Sequence, residues 1–151
     1  MAPEQGAGPE LEEVEMTICG IEMSGSEARL VLLNGDKSVF SHVNVKPKKL
    51  KLADDENPDE VKAFCDSIFA FLRENNVTLV AIKKRGKKGD FSGGSVGFKL
   101  EGIIQLYDNC LVKLVAAQTI SAKQNKDSPD KPDSLLKYQH IAFETAYCVL
   151  Q

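Results

Sequence analysis

The run Val77-Thr78-Leu79-Val80-Ala81-Ile82 constrains the fold most. It is short and nearly all apolar, with no polar alternation, the pattern of a strand buried on both faces inside a sheet flanked by helices. Its end constrains function as much as its middle constrains fold. Lys83, Lys84, Arg85, Lys87 and Lys88 place five cations within six residues, and Gly86 and Gly89 open the backbone among them. Ammonium and guanidinium groups on a glycine-rich loop favour negative charge, as do backbone N–H groups left free by glycine, so the loop suits phosphate or another polyanion.

The elements on either side follow from local signals. Thr17 to Met23 reads as a first strand, with a turn at Ser24-Gly25-Ser26 and a second strand from Glu27 to Leu33. Asn34-Gly35 supplies the pair that a two-residue type I′ turn needs, so a third strand is expected from about Lys37 to Val45. Lys46 to Glu56 reads as a charged connection, with Asp54-Asp55-Glu56 as helix-entry charge. Asn57-Pro58-Asp59-Glu60 combines a cap, a first-turn proline and two acids, and Val61, Phe64, Cys65, Ile68, Phe69 and Leu72 then recur at helical spacing until Asn75-Asn76. A second helix is expected over 96–107, a strand over 111–115, a short helix over 119–126, a proline-containing loop over 128–134 and a packing helix over 135–150. The order is β-β-β-α-β-α-β-α, which predicts an α/β fold with a mixed five-stranded sheet and helices on its faces.

Charge is unevenly distributed. The formal net charge is −3, yet Glu4, Glu10, Glu12, Glu13 and Glu15 stand in a stretch without Lys or Arg, and from residue 17 onward the balance is +2. Residues 1–15 read as a disordered acidic tail, and residues 16–151 as one domain. No apolar run approaches the roughly 20 residues that span a bilayer. Cys19, Cys65, Cys110 and Cys148 are far apart among apolar neighbours, which predicts packed, reduced thiols in a cytoplasmic setting rather than a zinc site. The glycines at 86, 89, 93, 94 and 97 match neither nucleotide-binding glycine pattern. His42 and His140 are the only histidines and lie on separate elements, so a serine or cysteine hydrolase has little support.

Three short motifs add a resemblance. Gly20-Ile21-Glu22 resembles the end of the first strand of bacterial Holliday-junction resolvases, which carry Gly-Ile-Asp there; Ala81-Ile82-Lys83-Lys84 resembles their fourth-strand Ala-Ile-Glu. Ala142-Phe143-Glu144-Thr145-Ala146 resembles their final helix, where an Asp precedes small apolar residues. With the element order, these make residues 17–150 similar to the ribonuclease-H-like superfamily, and the chain as a whole also resembles a small, uncharacterised bacterial family of that fold. The resemblance implies a site built from Glu22, position 83 and Glu144, with Glu22 and Glu144 as carboxylate ligands of Mg²⁺ or Mn²⁺. At position 83 the chain departs from the pattern. Lys83 puts an ammonium where the family has an acid, which removes a ligand and adds repulsion to any bound cation.

The expected function is therefore binding of nucleic acid or a phosphorylated ligand through Lys84, Arg85, Lys87 and Lys88. The two-metal nuclease site is expected to be impaired by Lys83, with no cofactor. A Glu22–Lys83–Glu144 cluster, in which the ammonium replaces the metal charge, is the structural form of this expectation, and Lys83 is the candidate catalytic amine. Phe91 is the aromatic placed to stack on a base. One alternative is an active metal-dependent nuclease using Glu22, Glu144 and a third acid among Glu27, Asp90 and Glu101. The other is a protein-interaction module that uses the exposed edge of the hairpin.

Overall fold

A computed structural model describes residues 15–86 and 94–151 of the chain. The expected acidic tail therefore lies almost wholly outside the described residues, as do Lys87, Lys88, Asp90 and Phe91. The elements run β1 (Thr17–Ser24), β2 (Glu27–Gly35), β3 (Phe40–His42), β4 (Lys49–Lys51), α1 (Pro58–Glu74), β5 (Leu79–Lys83), α2 (Gly94–Gln105), β6 (Leu111–Val115), α3 (Ala117–Lys126) and α4 (His140–Cys148). The sheet order is β3-β2-β1-β5-β6, with β4 also paired to β2. β1 is antiparallel to β2 and parallel to β5, and β5 is parallel to β6. This is a mixed α/β fold, five strand positions wide.

Alternation along the central strands sorts side chains into two cores. Cys19, Ile21, Val80 and Ile82 face α1 and α2, where Phe64, Ile68, Phe71, Leu72, Leu100 and Ile104 meet them. Ile18 and Ala81 face the opposite way and pack with Ile120 of α3 and with Ala142, Phe143 and Ala146 of α4. The apolar run at 77–82 is thus buried on both faces, as its composition requires. α1 begins as expected, with the Asn57 side chain accepting from the Asp59 N–H at 2.9 Å, and it ends at Asn75, before Asn76 at φ +54°. Among the described residues no helix is long and apolar enough to cross a membrane.

Three local expectations are corrected. No two-residue turn forms at Asn34-Gly35, because Asn34 stays in the ladder opposite Thr17 and donates its side-chain N–H to Thr17 Oγ1 at 2.8 Å. The reversal comes later, at Asp36, whose Oδ1 accepts from the Ser38 and Val39 N–H groups at 2.8 Å each. The expected strand over 37–45 shrinks to β3, and the supposed connection at 46–56 contributes β4, which pairs Lys49–Lys51 with Glu27–Arg29. Two three-residue strands therefore share the outer flank of β2, an interrupted edge that offers little to another chain's strand. The last helix starts later than the pattern at 135–150 implies. Gln139, 2% exposed, accepts from the Leu136 N–H and donates to Leu30 O, both at 2.9 Å, which holds Lys137–Gln139 as a 3-10 turn before α4 begins.

α4 crosses β1 at Gly20. A Cβ there would lie 2.2 Å from Ala142 O and 2.7 Å from Ala146 Cβ, so the missing side chain allows the contact. Gly20→Ala is expected to lose about 3 kcal/mol, the upper end for overpacking, because a backbone carbonyl cannot rotate aside. Urea unfolding followed by far-UV circular dichroism measures it.

Candidate nucleic-acid interface

Strand pairing brings four of the charged side chains to one end of the sheet. Glu22 follows Gly20 by two residues on the α4 face of β1, and its antiparallel partner is Arg29. Across β1 the parallel register aligns Gly20 with Ala81, so Lys83 ends β5 beside Glu22 on that same face. Glu27 sits on β2 two residues before Arg29 and accepts from its Nε at 2.9 Å.

An ion-pair lattice results. Arg29 Nη1 lies 3.7 Å from Glu22 Oε1, and Lys49 Nζ lies 3.9 Å from Glu27 Oε1. Among the described residues Glu22 Oε1 is buried with no hydrogen-bond partner. Burial pushes the Glu22 carboxyl above its usual range, and the positive charges of Arg29, Lys83 and Arg85 pull it partly back. Desolvation wins, even with three cations around the group.

Glu144 has a cation partner of its own. Its Oε2 pairs with Lys131 Nζ at 3.3 Å, on the loop before α4. Among the described residues no group of three or more His, Cys, Asp or Glu side chains could share a metal ion. Of the donor set that the resolvase resemblance implies for Mg²⁺ or Mn²⁺, Glu22 has Arg29 beside it and Glu144 pairs with Lys131. Of the third acids, Glu27 belongs to the ion-pair lattice, Glu101 accepts from the Arg85 N–H on the α2 side at 3.3 Å, and Asp90 lies outside the described residues.

The basic loop divides at Arg85. Lys83 is half-buried and Lys84 exposed, and the Lys84 N–H extends the β5–β6 pairing to Val115 O at 2.8 Å. Arg85 turns inward, where its Nη1 donates to Met23 O at 3.1 Å and its Cζ lies 5.9 Å from the centre of the Phe98 ring. Gly97 makes that seat, since a Cβ there would lie 2.7 Å from Arg85 Cζ. Sequence reasoning counted Arg85 with the ligand-facing cations, whereas the structure commits its guanidinium to the backbone. A residue that reasoning left aside is Tyr138, whose ring centre lies 4.9 Å from Lys49 Nζ and 5.7 Å from Arg29 Cζ. Its only sequence signal was a place on a helical stripe, which the 3-10 turn removes. All four cysteines are free, and burial pushes their thiols up, so none is a ready thiolate.

Two consequences can be measured. Glu22 binds its proton more tightly folded than unfolded, so its ionisation destabilises the fold as pH rises from the ordinary Glu value through the raised one. Glu22→Gln is expected to raise Tm relative to wild type at pH 7, and the gain should vanish below about pH 4; thermal melts at both pH values decide it. Arg85→Ala is expected to lose about 1–3 kcal/mol, leaving Met23 O without its charged donor, and to speed amide exchange around Gly97 and Glu101.

The same architecture occurs in RuvC of Thermus thermophilus. One structure of that protein matches with a TM-score of 0.63, and another, T. thermophilus RuvC in complex with Holliday junction substrate, with 0.59. Each match is 10% identical and covers 88% of this chain and 92% of the other. At such identity the likeness is one of fold, and the fold is ribonuclease-H-like. No curated protein matches the sequence. A family model does: "Protein of unknown function (DUF3010)" matches residues 16–149, and the chain belongs to that family.

Proposed function

We propose that this protein binds nucleic acid, or another ligand presenting phosphate groups, at the end of the sheet where β1 and β5 finish, without two-metal nuclease chemistry. The observation that carries this reading is the company Glu22 keeps. In the resolvases the chain resembles, that position helps to hold cations; here the carboxylate has Arg29 at 3.7 Å and Lys83 on the adjoining strand. An ammonium fixed in the protein supplies positive charge where those enzymes recruit a metal ion, and it cannot activate water as a metal ion does. Lys87 and Lys88 follow Lys83 and Lys84 within four residues of sequence. Their charge suits phosphate contact, and the Holliday-junction complex of the RuvC that shares this fold favours nucleic acid as the phosphate source.

The test is binding of labelled branched DNA, single-stranded DNA and an RNA–DNA hybrid by the full chain in EDTA. Affinity is expected without metal, falling at least about 100-fold between about 50 and about 200 mM salt. Replacing Lys84, Lys87 and Lys88 together by Gln should reduce the slope of log affinity against log salt by about two to three. Salt-independent binding, or none, to these probes and to inorganic phosphate overturns the proposal. Mg²⁺-dependent cleavage that disappears in Glu22→Gln overturns its metal-free part and establishes the nuclease reading instead.

A further inference from the structure

A second cluster of cations lies at the end of the sheet where β1 begins, opposite the end that carries Lys83. Lys37 Nζ and Lys123 Nζ both approach Asp127 Oδ2, at 3.7 and 3.9 Å, and the Tyr147 hydroxyl donates to the same oxygen at 2.7 Å. One carboxylate thus serves two ammonium groups and a phenol. Contact with Lys37, and then partial loss of water, hold the Lys123 ammonium below its usual range, and Asp127 offsets them only in part. Lys126 stands in the same last turn of α3 as Lys123, and the charge of Lys113 on β6 acts together with that of Lys123 on Cys148. The acids adjoining these four lysines are Asp127 and Asp36, and Asp36 Oδ1 already accepts from the Ser38 and Val39 N–H groups.

The chain enters β1 beside this cluster. Thr17 pairs with Asn34, and the Gly35 N–H donates to Met16 O at 3.0 Å, so the residues before Met16 join the sheet next to the reversal formed by Asp36, Lys37 and Val39. Val39 is 76% exposed, a large apolar side chain two residues from Lys37. Immediately upstream the sequence reads Glu10-Leu11-Glu12-Glu13-Val14-Glu15, four carboxylates and two apolar side chains without a Lys or Arg, of which residues 10–14 lie outside the described residues. Six residues reach at most about 20 Å, enough to pass Lys37 and arrive at Lys123, which shares an oxygen with it. Tethered at that point, the carboxylates meet the lysines at an effective concentration on the order of millimolar.

We infer that the acidic segment 10–15 docks on the Lys37–Lys123 cluster, its carboxylates supplying negative charge that Asp127 alone does not, with Leu11 or Val14 against Val39. The inference does not rest on the phosphate-binding reading, which concerns the other end of the sheet. Docked there, the segment is held away from Lys83 and Lys84 and does not compete for them.

The test is zero-length carbodiimide coupling of carboxylates to amines in the full chain, followed by peptide mass spectrometry. Amide links from Glu12, Glu13 or Glu15 to Lys37 or Lys123 are expected at about 50 mM salt, and they should be lost at about 1 M, where the screening length falls to about 3 Å. Links spread evenly over exposed lysines such as Lys51 and Lys62, or directed to Lys83 and Lys84, overturn the inference. An equal mixture of 14N- and 15N-labelled protein should give links within one chain; links that join the two labels assign the cluster to a second copy's segment and overturn it. A second measurement leaves every lysine in place. Amide spectra of wild type and of the chain with Glu10, Glu12, Glu13 and Glu15 all replaced by Gln should differ at Lys37, Val39 and Lys123. Differences confined to Met16 and Thr17, or none, overturn the inference.

Discussion

The structure depends on how closely α4 lies against β1. Gly20 has no side chain, and Ala142 and Ala146 present the smallest ones, so the helix backbone descends onto the strand. No larger residue fits at that crossing without moving a carbonyl. The contact fixes the height of α4 above the sheet and places the polar end of the strand just past the start of the helix, where Gln139 bonds to Leu30 O. Glu22, two residues beyond Gly20 on the same face, is therefore partly roofed rather than solvated. Its raised affinity for a proton follows from the packing that secures the fold.

Ionised, Glu22 is opposed by burial and favoured by three cations, and burial is the stronger. Such a balance responds to whatever binds nearby. A phosphate approaching Arg29 or Lys83 takes up positive charge that now serves the carboxylate, which further favours the protonated acid; a ligand N–H donated to Oε1 has the opposite effect. A ligand bringing both groups satisfies the lattice in a way that a bare anion does not. Under the proposed phosphate-binding reading, this is the physical reason to expect discrimination among phosphate-bearing ligands at this face, beyond attraction set by net charge.

The fold was legible in sequence wherever a local signal and a long-range demand agreed. The apolar run at 77–82, the Asn57-Pro58 helix start and the spacing from Val61 to Leu72 each had one structural solution, and tertiary packing did not overrule them. Expectation failed where a side chain made a partner distant in sequence. Asn34 and Gly35 carry the residues of a tight turn, but the Asn34 amide bonds to Thr17, seventeen residues earlier, and the turn moves to Asp36. Gln139 shortens the last helix through a bond to Leu30, 109 residues away. β4 consists of Lys49-Leu50-Lys51, two cations around one apolar residue, which composition cannot tell from a solvated connection.

The candidate site shows the same division at finer grain. Glu22 and Lys83 could be paired from the order of the strands, since parallel neighbours that begin together end together. Arg29 could have been reached only through the hairpin register, and Tyr138 only through a turn that helical periodicity conceals. Arg85 marks the limit of reading a charge run as one unit. Lys83, Lys84 and Arg85 are consecutive cations, yet one lies beside a carboxylate, one is in solvent and one is inserted over Gly97 against Met23 O. β5 ends at Lys83, so strand alternation no longer governs Lys84 and Arg85, and adjacent like charges need not share a role. With its guanidinium bonded to Met23 O and seated over Gly97, Arg85 ties the end of β5 to β1 and α2.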